Sequence, residues 1–286
     1  MKNAPITVPV FRSLKGKKKL TALSLYENYF AGIVDGMVDL ILVGDSLSSV
    51  VYGFDSTLPV GMERMLYHVE GVARAVKKSL LVADMPFMSY QASFSDALKN
   101  AGEFLKVGAK AVKLEGGEEV AELVFRMTAS GIPVMGHIGL TPQFVNTFGG
   151  YRLQGRDFES AEKLLKDAVA LEEAGVFSIV VEGVPNDVAK VITESVDVPT
   201  IGIGAGSSTD GQILVLHDLL GLLDGVPRFV RKYARLREEV ADAVRDYVGD
   251  VIDGSFPSAG ESYGEKLTPE ERKRLYEVAR KLKGVG

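Results

Sequence analysis

Short, uninterrupted apolar runs recur along this chain, and between them apolar residues return at three- and four-residue intervals. The runs are TALSL (21–25), LILVG (40–44), LLVADMP (80–86), AVKLEG (111–116), PVMGHIG (133–139), SIVVEG (178–183) and PTIGIGAG (199–206). LLGLLD (219–224) is a weaker last candidate. Each reads as a strand covered on both faces, because a half-exposed strand would alternate apolar with polar residues. The stretches between them read as amphipathic helices. Residues 161–173 place Leu164, Leu165, Ala168 and Leu171 on one face and meet a stop signal at Gly175. Residues 184–193 do the same with Val184, Val188, Val191 and Ile192, with Pro185 where a first turn tolerates it.

Buried strands alternating with helices predict a parallel sheet with both faces covered. About eight such units in 286 residues predict an α/β fold of the (β/α)₈ TIM-barrel type. The alternative, an open doubly wound sheet, would show a phosphate-binding glycine turn after an early strand, and none is present. The expected catalytic domain is residues 1–253. Within it, residues 227–252 read as one or two charge-rich helices. Residues 254–267 read as a Gly/Ser/Pro-bearing linker. TPEERKRLYEVARKLKG then reads as a terminal helix with a Thr268–Glu271 capping box, so that 254–286 is a linker and helical extension.

Composition narrows the function. The absence of cysteine excludes disulfides, cysteine nucleophiles and thiolate metal sites. A net charge of −5 gives no support to a nucleic-acid or anionic-membrane partner. The dense basic run, KGKKK (15–19), reads as a solvated loop. The first residues lack a signal-peptide core and no apolar run is long enough to span a bilayer, so a cytoplasmic protein is expected.

Charged residues interrupt the apolar pattern at the ends of the strands. Asp45 follows LILVG at once, Asp84 lies within LLVADMP, Glu115 ends AVKLE and Glu182 ends SIVVE. Lys113 precedes Glu115 by two residues and shares its strand face; His137 holds the corresponding place in PVMGHIG. In a parallel barrel the strand C-termini meet at one mouth, where catalytic groups sit. Each residue also has a structural explanation. Asp45 could cap a helix and Asp84 could start a turn; Lys113 and Glu115 could form a neutral pair, and His137 could be a hydrogen-bonded core histidine. As a group they read as a functional cluster, since ionised side chains at apolar strand ends are costly unless paired or metal-bound. Three carboxylates suit a hard divalent ion, and Mg²⁺ typically takes one or two carboxylates, waters and substrate oxygens. A cation so held polarises a carbonyl and stabilises an enolate. Glu182 could then remove the proton beside that carbonyl, with Lys113 binding a substrate carboxylate or the enolate oxygen.

The glycine-rich stretch GIGAGSSTDGQILVLHD (202–218) offers amides at 204–208 that would suit an anion. Tight turns, with Asp210 capping a following helix, account for it equally and are preferred. His68 and His217 fall in apolar helical patterns and read as packing or surface residues.

With these residues in place, the sequence closely resembles the ketopantoate hydroxymethyltransferase family from about residue 20 to 253. The blocks that carry the resemblance are VGDSL (43–47), DSTLPV (55–60), ADMPFMSY (83–90), VKLEGG (112–117), GHIGLTPQ (136–143), FGGYRLQGR (148–156), EGVP (182–185) and IGIGAGSSTDGQILVLHD (201–218). The resemblance implies a barrel of the phosphoenolpyruvate/pyruvate superfamily with one Mg²⁺ per subunit. Such an enzyme transfers a one-carbon unit from 5,10-methylenetetrahydrofolate to 3-methyl-2-oxobutanoate, giving 2-dehydropantoate for pantothenate and coenzyme A synthesis through a Mg²⁺-stabilised enolate. It further implies Asp45 and Asp84 as metal ligands with Glu115 as a third, directly or through water. Asp45, Ser46, Asp84 and Lys113 would bind the keto acid, Glu182 would be the proton acceptor and His137 an auxiliary donor. A homodecamer of five dimers is the implied assembly. Loops near Tyr90 and Asp210 are the only candidates for gripping the pterin. Ser48 stands where the family often has glycine, and Gly183 where it commonly has cysteine. The alternatives are a cysteine-free mutase or C–C lyase of the same superfamily, or a non-catalytic binding barrel with a structural ion.

Overall fold

The computed structural model describes residues 4–284. The chain divides into two compact units, Met1–Ala234 and Arg235–Gly286. In the first, eight parallel strands close into a barrel in sequence order: β1 (Leu20–Ser24), β2 (Leu40–Val43), β3 (Leu80–Asp84), β4 (Ala111–Lys113), β5 (Val134–Gly139), β6 (Ser178–Glu182), β7 (Thr200–Ile203) and β8 (Gly211–Val215). β1 pairs with β8 from Leu20↔Gly211 to Ser24↔Val215, which closes the ring.

The two-residue period of each strand sorts its side chains. Leu20, Ala22, Leu40, Leu42, Leu80, Val82, Ala111, Met135, Val180, Ile201 and Ile213 fill the barrel interior. The alternate set, among them Ile41, Val43, Leu81, Val112, Ile138, Ile179 and Val181, packs outward with the buried stripes of the surrounding helices. Helix Phe158–Glu173 shows how such a stripe is framed. Its N-terminus carries a reciprocal capping box between Asp157 and Ser160, and Leu164, Ala168 and Leu171 are buried. At the bottom, the short helix Val8–Arg12 drives the fully buried Phe11 edge-on against Phe177, with ring centroids 6.0 Å apart, and plugs the barrel.

Two sequence expectations are corrected here. The eighth strand is Gly211–Val215; within 219–224, Leu219 ends the short helix Leu216–Leu219 and Gly221 turns at φ 72°. LLGLLD is more uniformly apolar than GQILV, but a left-handed glycine in its middle breaks a strand. Gly211 instead lets β8 approach β1, since a Cβ there would lie 2.6 Å from the Leu20 carbonyl oxygen. The basic run is also no solvated loop. Lys15 bonds Asp210 (2.8 Å) and the carbonyls of Thr193 and Val198, Lys18 pairs with Asp39, and Lys19 bonds the carbonyls of Ser207 and Thr209. These lysines staple the N-terminal ends of β1, β2, β7 and β8.

The second unit contains helices Leu236–Asp253 and Pro269–Leu282. The first closes on Gly254 at φ 83°, the left-handed residue that suits a helix C-terminus. The second begins with the expected Thr268–Glu271 capping box. The compact barrel unit thus ends before helix Leu236–Asp253, earlier than the composition change after Asp253. Among the described residues no helix is long and apolar enough to cross a membrane.

Candidate active site

The inward parity that fills the barrel with Leu, Val and Ile continues to the strand C-termini, where the residue type changes. Val82 is followed two positions on by Asp84, Ala111 by Lys113 and then Glu115, Met135 by His137, and Val180 by Glu182. Ser24 and Gly44 hold the same level on β1 and just after β2. Asp45, Ser46, Asp84, Lys113, Glu115, His137 and Glu182 therefore line one cavity of about 120 Å³ at the barrel mouth. Every residue read from the sequence as catalytic, substrate-binding or metal-holding lines it. Its other wall is apolar, formed by Leu42, Val180, Ile203, Ile213 and Val215.

The contacts form a chain of alternating charge. Lys113 Nζ lies 2.8 Å from Asp84 Oδ1 and 4.0 Å from Glu115 Oε1. His137 Nδ1 is 3.5 Å from Glu115 Oε1, and its Nε2 is 3.3 Å from Glu182 Oε2. The Asp45 amide donates to Asp84 Oδ2 (3.2 Å). Asp45 does not cap the short helix Leu47–Val50, which has no side-chain cap. Ser46 Oγ meets the hydroxyl of the buried Tyr26 at 2.7 Å.

Burial dominates the electrostatics. It raises the Asp45 pKa well above the usual carboxylate range, and the neighbouring charges of Asp84 and Glu115 add to this. Asp84 is also raised, first by burial and then by Glu115, with Lys113 opposing. Burial works against the Lys113 ammonium, but Asp84, Glu115 and Asp45 outweigh it and hold its pKa above the ordinary lysine value. Burial and Lys113 both oppose a charge on His137; Glu115 and Glu182 overcome them and push its pKa up to about 9. Lys113 and His137 thus face four carboxylates, Asp45, Asp84, Glu115 and Glu182; Asp84 Oδ1 is held by Lys113, whereas Glu115 Oε1 receives no hydrogen bond. Such excess negative charge, with a buried Glu115 oxygen that has no donor, is what a divalent cation neutralises. Among the described residues no three His, Asp or Glu side chains converge tightly enough to cage an ion by themselves.

Three residues of this site, Gln143, Ser24 and Thr57, were not singled out from the sequence, and Tyr90 was named only as marking a pterin loop. Gln143, in the Pro142–Phe144 turn after β5, and Tyr90, after β3, form a buried hydrogen-bonded bracket behind Asp45 and Glu115. Ser24 and Thr57 line the cavity with buried hydroxyls that have no partner. Amide and hydroxyl groups announce no chemistry in a sequence; the residues 136–143 and 55–60 were signals only as family blocks.

The two residues that marked the candidate pterin loops are both engaged elsewhere. Tyr90 is 3 % exposed and its hydroxyl is taken by Glu115 O and Gln143 Oε1. Asp210 sits at the start of β8, at the opposite end of the barrel, where it accepts from the Thr200 amide and pairs with Lys15 instead of capping a helix. The amides of Ser207 and Ser208 donate to Asn186 Oδ1, so two of the amides offered for an anion are already engaged. Both departures from the family pattern have local reasons. The buried Ser48 donates to the Ser56 carbonyl at 2.6 Å, tying down the loop that carries Thr57. Gly183 sits at φ 56°, a conformation glycine adopts without strain. His68 bonds the Tyr26 carbonyl (2.8 Å), and His217 contacts Glu27 (3.1 Å) and packs on the Tyr26 ring, as packing residues.

Comparison with known proteins identifies the family. Residues 5–259 match the model of the family described as ketopantoate hydroxymethyltransferase. A 3-methyl-2-oxobutanoate hydroxymethyltransferase from Carboxydothermus hydrogenoformans is 51 % identical over 95 % of this chain and 99 % of its own. One from Thermotoga maritima is 53 % identical over 91 % of this chain and 97 % of its own. Among solved structures, a phosphonopyruvate hydrolase in complex with oxalate and Mg²⁺ superposes with a TM-score of 0.57 at 15 % identity, covering 96 % of this chain and 98 % of that one. A 2,3-dimethylmalate lyase of the PEP mutase/isocitrate lyase superfamily gives 0.55 at 14 %, covering 93 % and 92 %. These two share the fold. With the relatives' identity, their near-complete coverage and the family match over most of its length, the chain belongs to the ketopantoate hydroxymethyltransferase family.

Proposed function

We propose that this protein is a 3-methyl-2-oxobutanoate hydroxymethyltransferase. It takes the one-carbon unit of 5,10-methylenetetrahydrofolate, with water, to form 2-dehydropantoate and tetrahydrofolate on the cytoplasmic route to pantothenate and coenzyme A. The observation that carries this reading is the meeting of Asp45, Asp84, Lys113, Glu115, His137 and Glu182 in one cavity, in a chain whose relatives bear that name.

Asp45 and Asp84 would hold Mg²⁺ directly and Glu115 through water, as the unpartnered Glu115 oxygen and the crowded negative charge favour. When bound, the cation supplies Lewis-acid polarisation of the keto group. The remaining work falls to the protein's own side chains. Lys113 and Ser46 orient the carboxylate end of the keto acid, while Leu42, Val180, Ile203, Ile213 and Val215 receive its branched end. Glu182 removes the C3 proton, and His137 at 3.3 Å holds the Glu182 carboxylate toward the cavity. The homodecamer remains the proposed assembly, and light scattering of the purified protein reads it directly. The mutase, lyase and binding-barrel alternatives have only fold likeness behind them.

Glu182→Gln tests the assignment. The variant keeps the shape and loses the base, so exchange of the keto acid's C3 proton into deuterated water should fall by about 10²–10⁴-fold. Exchange at the wild-type rate would remove Glu182 from this role.

A further inference from the structure

Gln143 is 3 % exposed and has all its side-chain hydrogen-bonding capacity occupied. Its Nε2 donates to Asp45 Oδ2 (2.9 Å) and to the Met85 carbonyl (2.9 Å). Its Oε1 accepts from the Tyr90 hydroxyl (3.0 Å) and from Gln91 Nε2 (3.1 Å). Its backbone amide donates to Glu115 Oε2 (3.0 Å). One residue in the turn after β5 therefore touches the segments that follow β2, β3 and β4.

The direction of the side-chain amide is forced. A carboxylate and a carbonyl, both pure acceptors, lie on one side, so the NH₂ group must face them. The Tyr90 hydroxyl faces the amide oxygen on the other side. The Tyr90 ring bridges on to β4, its oxygen lying 3.1 Å from Glu115 O and 3.2 Å from Glu115 N. The consequence for the two acids is specific. Asp45 has one oxygen committed to Gln143 and the other uncommitted. Glu115 likewise has Oε2 committed to the Gln143 amide, while Oε1 receives no hydrogen bond.

We propose that Gln143 is the positioning residue of the cation site: it locks the rear oxygens of Asp45 and Glu115 and thereby presents their free oxygens to the cation. This rests on the reading of Asp45 and Glu115 as cation-holding groups. The desolvated bracket also restrains the carboxylates that crowd this site. Two of them are tethered by neutral donors, which restrain the acids while adding no positive charge that would compete with a metal. Hydrogen-bonding partners of metal-ligating carboxylates typically change metal affinity or activity by about 10–100-fold when removed.

The test uses Mn²⁺ as the probe, titrated into the metal-free full-length protein and followed by electron paramagnetic resonance. Gln143→Met keeps the side-chain length and loses both donors. Its Mn²⁺ dissociation constant should rise about 10–100-fold. C3-proton exchange should be recovered in part by excess Mn²⁺, which a loss of folded protein alone would not allow. Tyr90→Phe keeps the ring and removes the hydroxyl that orients the Gln143 amide. It should weaken Mn²⁺ in the same direction, and it carries the test if Gln143→Met fails to fold. Unchanged Mn²⁺ affinity in a folded Gln143→Met, or in Tyr90→Phe where that variant carries the test, beside a wild type that binds, would overturn the positioning role alone. A wild type that binds no Mn²⁺ would overturn the cation reading and this role together.

Discussion

Gly139 ends β5 beside Glu182, its register partner on β6, and has a backbone φ of 96°. A Cβ added there would lie 2.2 Å from the Glu182 carbonyl oxygen and 2.7 Å from Val184 Cγ2. Ordinary contact begins near 3.4 Å, so the backbone of the proposed base must retreat by about 1.2 Å. That carbonyl accepts the Leu140 amide at 2.8 Å, and the bond would be strained or lost. Gly139→Ala should therefore cost about 1–2 kcal/mol for the left-handed backbone and about 1 kcal/mol for the hydrogen bond. Both are tolerable for a domain of ordinary stability. The effect on turnover should be larger: a displacement of about 1 Å at a reacting group costs on the order of 10²-fold, or about 2.7 kcal/mol of barrier. Gly131→Ala is the matched control. Gly131 has φ 81° and nothing within 4 Å of its Cβ position, so it pays the backbone strain alone. Urea unfolding and C3-proton exchange should be measured on both. Gly139→Ala should lose exchange about 100-fold while Gly131→Ala keeps it. Equal exchange rates in the two variants would refute the claim that the Gly139–Glu182 approach sets the position of the base.

Two further outcomes follow from the charge balance of the site. His137 is 2 % exposed, and its pKa is raised from 6.5 to about 9 on folding. Its protonation therefore stabilises the metal-free protein fully below about pH 6.5, and that contribution of about 3 kcal/mol is lost as pH rises through about 9. Urea unfolding at pH 6 and pH 9.5 should show the loss in the wild type and not in His137→Gln; the same slope in both proteins would discount it. Asp45 has the opposite effect, because a carboxylate whose pKa is raised on folding destabilises the protein as pH rises past its ordinary value. Asp45→Asn should raise the melting temperature of the metal-free protein at pH 7 and abolish the further rise that Mg²⁺ gives the wild type. A lower metal-free melting temperature would contradict the reading of Asp45 as an uncompensated charge.

The linear sequence determined the strand period, the number of β/α units and the identity of the charged residues at the mouth. Local pattern is enough for these: buried strands are apolar without interruption, and Asp45, Asp84, Lys113, Glu115, His137 and Glu182 stand out against them. The eighth strand was misread because uniform apolarity in LLGLLD outweighed GQILV, whose Gly211 is explained only by the closeness of β1. The basic run was misread for a related reason. Lys15 and Lys18 have partners, Asp210 and Asp39, that are distant in sequence and become neighbours only when the barrel closes. Gln143 was invisible on the same ground. A neutral amide carries no signature of its own, and its role arises from meeting Asp45, Met85, Tyr90 and Glu115 in space. Side-chain type and period are properties of neighbours along the chain, whereas the pairing of charges and the satisfaction of buried donors depend on which distant segments the closed barrel brings within 3 Å of one another.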